Sequence, residues 1–79
     1  METQKMQPAK IVEVFKTNVP DAFIAEKLLA VLCHCFPGSR INFDLADCDK
    51  VLRVETSRPS GEKIKQIVRE TGYRCEELQ

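Results

Sequence analysis

Thiols, a single imidazole and a run of carboxylates are the groups in this chain that could do chemistry. Cys33-His34-Cys35 brackets the only histidine with two thiols, and both residue types ligate soft and borderline metals. Asp44-Leu45-Ala46-Asp47-Cys48-Asp49 adds three carboxylates and a further thiol. Cys75 is the fourth cysteine.

Spacing limits what these groups can do. Residues two apart on an α-helix point about 200° from each other, so Cys33 and Cys35 cannot share one ion in a helical turn. The same geometry opposes a nucleophile–base dyad of Cys33 and His34. The aspartate run could bind a hard cation, but it lacks the Gly turn and terminal Glu of a calcium loop. Aspartates in turns usually accept hydrogen bonds from nearby backbone, and Lys50 and Arg53 beside them are expected to offset charge. The chain has no Gly-rich phosphate loop and no Ser-His-Asp set, so no enzyme class gains a foothold and a non-catalytic protein is expected.

Those residues depend on the elements that position them. Residues 1–9 have no periodicity and are expected to form a flexible tail before a single domain at 10–79. Lys10 to Lys16 is rich in β-branched and aromatic residues and reads as a strand. Val12 and Val14 are expected to face the core, leaving Phe15 on the open face. A helix follows, with Pro20 in its first turn and Asp21 at the positive end of its dipole.

Ala25, Leu28, Leu29, Leu32, Cys35 and Phe36 form one apolar stripe, which makes Cys35 a small core residue and turns Lys27 and His34 to water. Pro37-Gly38 stops the helix. Ile41, Phe43 and Leu45 alternate with polar residues, and Val51 to Glu55 pairs back with Leu52 and Val54 inward. Ser60 can cap a second helix that buries Ile64, Ile67 and Val68, and Gly72 ends it before a last strand at Tyr73 to Leu78.

The order strand, helix, strand, strand, helix, strand is that of an α+β, ferredoxin-like βαββαβ sandwich, a four-stranded antiparallel sheet with two helices on one face. This topology puts the first turn, the Asp47 to Asp49 hairpin and Tyr73 at one end, with Cys33 and Cys35 at the other. Cys48 with Cys75 is then the one conceivable thiol pair near the first turn.

Seventy-nine residues with 43% hydrophobic content suffice for one two-layer core. Twelve basic residues balance twelve acidic ones, so no net field draws the chain to nucleic acid or an anionic membrane. Phe15 is the one aromatic expected on the open sheet, too few for stacking single-stranded bases. No stretch is apolar enough to span a membrane, and Met1 to Gln7 lacks a signal-peptide core. A cytoplasmic setting is expected, in which the four cysteines stay free thiols.

With that order in place, the sequence resembles the heavy-metal-associated domain family, the fold of copper chaperones and of modules in metal-pumping ATPases. The likeness spans Lys10 to Leu78. Leu28 and Leu32 fit the apolar pair of the family's first helix, and Phe36-Pro37-Gly38 fits its helix-ending turn. Ile41 to Leu45 fits the next strand, and Glu70-Thr71-Gly72-Tyr73 fits the Ala-Gly-Tyr segment after the second helix.

The family's motif is Gly-Met-x-Cys-x-x-Cys at the first turn. Here Asn18 stands at the Gly, Val19 at the buried Met, Asp21 at the first Cys and Ile24 at the second. A carboxylate and an isoleucine cannot replace two thiolates for Cu(I), so no metal is expected at Asp21 and Ile24. The resemblance implies a scaffold whose former metal end still docks a protein partner, through Asn18, Val19, Asp21, Asp47, Asp49 and Tyr73. A monomer or weak dimer without cofactor is expected, with self-association through a sheet edge or the open face as a further option. The alternative is a metal- or thiol-handling protein using Cys33, Cys48 or Cys75 for Cu(I) or Zn(II).

Overall fold

The strand-forming run after Lys10 becomes β1 (Ile11–Thr17), and the five elements after it follow the expected order. They are α1 (Ala22–Cys35), β2 (Arg40–Asp44), β3 (Val51–Thr56), α2 (Gly61–Glu70) and β4 (Cys75–Glu77). A computed structural model describes residues 10–78, and the tail expected at residues 1–9 lies outside the described residues. The strands lie in the order β2-β3-β1-β4, and every neighbouring pair is antiparallel. Both helices cover one face, which makes the fold ferredoxin-like. The last strand is shorter than the sequence suggests, with three residues in place of Tyr73 to Leu78.

The faces of β1 are the reverse of the expectation. Phe15 is 0% exposed and pairs with Leu52, whereas Val12 is 45% exposed on the outer face and Val14 is half-buried there. The cause lies with Glu13, which shares the inner face with Phe15. Its carboxylate does not enter the apolar core. It reaches the start of α2 and accepts from the Ser60 amide at 3.1 Å. Glu77, also on the inner face, aims at the same place, since a Cβ on Gly61 would lie 2.9 Å from Glu13 Oε2 and 3.1 Å from Glu77 Oε2. Two carboxylates at a helix N-terminus are electrostatically well placed.

Ser60 therefore does not cap α2 with its side chain. Its hydroxyl donates to the Arg58 carbonyl at 3.1 Å, while Glu13 accepts from the amide of Ser60 itself. The β3 expectation holds: Leu52 and Val54 are fully buried. Gly38 (φ +87°) and Gly72 (φ +99°) end the helices in the left-handed region that side chains resist.

On α1 the buried residues are Ala25, Leu28 and Leu32. Cys35 is exposed, contrary to its place on the stripe. It is the last helical residue and opens onto a cleft of about 560 Å³ between the α1–β2 turn and the β3–α2 loop, with Lys10 and Arg58 on its walls. Phe36, just beyond the helix, packs against the core in its place.

Candidate functional site

Thr17 holds together the end of the fold that carries the β1–α1 turn. Its amide donates to the Asp49 carbonyl at 2.9 Å and its hydroxyl to the Lys50 carbonyl at 2.6 Å. The same hydroxyl accepts from the Val19 amide at 3.2 Å. The β2–β3 hairpin is thus fastened to the β1–α1 turn. From the other side, Asn18 Oδ1 accepts from the Arg74 amide at 2.7 Å, tying in the chain before β4. The first turn, the hairpin and the Tyr73 segment accordingly share one end, as the topology predicts.

Asp21 is the N-cap of α1, and its carboxylate accepts from the Ile24 amide at 3.0 Å. Asp21, expected from the resemblance to stand in place of a thiolate, therefore has a structural duty toward the helix. Ile24 is half-buried and packs on the core, so neither position offers a soft ligand. Val19, expected in the docking surface, is 0% exposed: the turn folds it into the core, where it supports that end from beneath.

No family model, no curated protein and no solved structure matches the chain. What stands is the ferredoxin-like fold and the chemistry of its own residues. The most conspicuous of these is Phe23, 66% exposed on the first turn of α1. The Lys27 ammonium sits 4.5 Å from its ring centroid and holds the ring in place. Beside them a pocket of about 220 Å³ opens between α1 and the α2–β4 turn, lined by Ile24, Lys27, Leu28, Val31, Thr71 and Tyr73. Apart from Lys27 and two hydroxyl residues its walls are aliphatic.

The thiols scatter. Cys33, Cys35 and Cys48 are exposed, and Cys75 is buried. Cys75 faces the helices opposite buried Thr17, so it does not form a surface pair with Cys48. Burial pushes its thiol from 9.0 up to about 11, against the smaller opposing pull of Arg69 and Lys65. A thiol that resists ionisation is a poor ligand and a poor nucleophile.

Asp47, Cys48 and Asp49 do converge, with one donor atom from each lying within 4.8 Å of the others. Such a mixed sulfur and oxygen set suits a borderline ion such as Zn(II) better than Cu(I). Asp47 also has local work: its Oδ1 accepts from the Asp49 amide at 2.8 Å, the turn-stabilising role expected of it. Lys50 donates to the Leu45 carbonyl at 3.2 Å and so braces the hairpin.

Glu13, Thr17 and Phe23 escaped the sequence reading. Glu13 and Thr17 bond to residues 47 and 33 positions away, with no local signal. Phe23 could have been found, because on a helix it lies off the stripe through Ala25, Leu28 and Leu32.

Proposed function

We propose that the chain is a small non-catalytic interaction module that docks a protein partner through the end carrying the β1–α1 turn. Phe23 carries this reading. Aromatic side chains are enriched at contact surfaces, where they supply large area at low entropic cost. Lys27, which approaches the ring, also lines the pocket together with Val31, and Asn18, Asp21, Asp47, Asp49 and Tyr73 belong to the same end as a mainly polar rim. No described helix is long and apolar enough to cross a membrane, and in a reducing cytoplasm the cysteines stay free.

Quantitative copurification from the native cells, using the tagged full chain, tests the proposal. A stoichiometric protein partner is expected with the wild type and with Val12→Ala. Phe23→Asp is expected to lower recovery about tenfold or more with an unchanged circular dichroism spectrum, the loss typical of an anchor side chain. Recovery that ignores Phe23→Asp sinks this reading.

The convergence of Asp47, Cys48 and Asp49 favours a second reading, metal handling at the hairpin. Native mass measurement with Zn(II) or Cu(I) under reducing conditions separates the two. The docking reading expects no tight stoichiometric adduct. A one-to-one adduct abolished by Cys48→Ser replaces it with the second.

A further inference from the structure

The helices cover one face of the sheet and leave the other bare. Its apolar part is a strip made by Val12, Val14, Val51 and Leu78. Val12 and Leu78 are 45% and 37% exposed, and Leu78 lies beside Val14 because its amide donates to the Val14 carbonyl at 2.8 Å. Around the strip the register sets out charge in rows. Glu55 stands beside Val12 with Arg40 beyond it, their side chains 3.9 Å apart, Arg53 lies between Asn42 and Val14, and Asp44, Lys16 and Glu76 occupy the row nearest the docking end.

Three cations and three anions give this face no net charge, which disfavours nucleic acid and anionic lipid alike. One opposite pair on it, Arg40 and Asp44 at the two ends of β2, can instead match itself across two copies. Consider a twofold axis lying across the strands at the row of Asn42, Arg53 and Val14. It sets Arg40 opposite Asp44 of a second copy, and Asp44 opposite its Arg40. Val14 meets Val14, Leu78 meets Leu78, and Val12 meets the aliphatic stem of Lys16. The two Arg53 side chains meet near the axis with a Glu55 on each side, so each like-charge approach is bracketed by carboxylates.

From this self-complementarity we propose that a second copy of the chain covers the open face, forming an isologous, two-sheet dimer. Because the axis exchanges the two ends of the strands, the two docking ends point in opposite directions. The dimer can then engage two partner molecules and link them, rather than clasp one.

Sedimentation equilibrium of the full chain over a wide concentration range tests this, in reducing buffer so that exposed thiols cannot cross-link. The mass is expected to climb from one chain toward two. Val14→Glu and Arg40→Glu are each expected to weaken association about tenfold or more, through a buried charge and a like-charge contact. The swap Arg40→Glu with Asp44→Arg is expected to restore association to within a few fold of wild type, which also controls for variants that fold poorly. A monomer at every concentration overturns the proposal. So does an association that Val14→Glu leaves intact, or one that the swap fails to restore.

Discussion

Phe15→Ala is expected to destabilise the chain by about 3–5 kcal/mol, whereas Val12→Ala changes stability by less than about 1 kcal/mol. Phe15 is fully enclosed against Leu52 and the buried helix residues, so its removal leaves a cavity that the surrounding layers cannot close. Val12 stands in solvent on the opposite face. For a domain of this length the whole folding free energy is roughly 4–12 kcal/mol. The Phe15 variant is thus expected to be largely unfolded or close to it. Urea denaturation of both variants is the measurement, and the reverse order of midpoints would restore the face assignment that the sequence suggests.

The second large effect concerns alkaline stability. An ordinary thiol, like that of the unfolded chain, ionises near pH 9, while buried Cys75 keeps its proton until about pH 11. Between these values the unfolded state sheds a proton that the folded state retains, so stability falls as pH rises. The contribution is complete below pH 9 and lost progressively up to about pH 11, amounting to about 2–3 kcal/mol. Folding free energies at pH 8 and pH 11 should therefore converge for Cys75→Ala relative to wild type. Every group the two proteins share drops out of the comparison. An equal alkaline loss in the two proteins would show that Cys75 does not carry it.

Much of the architecture was legible because it is written locally. Alternation at Ile41 and Phe43, the pair Leu52 and Val54, and the stops at Gly38 and Gly72 each need only neighbouring residues. What was misread depends on contacts distant in sequence. Val12 and Val14 look like a core face until Glu13 finds the N-terminus of α2, and that contact frees Phe15 to turn inward. Ser60 is the N-cap residue of α2, but its hydroxyl turns back to the Arg58 carbonyl instead of accepting from the helix. Cys35 follows the stripe by angle but stands at the helix end beside an open cleft, where nothing covers it. At the β1–α1 turn, Asp21 caps α1 and Ile24 packs on the core. Phe23 lies off the stripe through Ala25, Leu28 and Leu32, and its angle on the helix is the one local sign of its exposure.

The bonds that Thr17 and Asn18 make have a thermodynamic consequence. Three chain segments meeting at one end are already fixed by short hydrogen bonds from the β1 side. A partner docking there as proposed would not have to order loops, so association would be spared most of the entropic cost that flexible recognition segments carry. The heat-capacity change on binding should then match the apolar area covered, with no added folding component. Amides at Thr17 and Arg74 should exchange slowly with solvent before any partner is added, and their protection should change little afterwards.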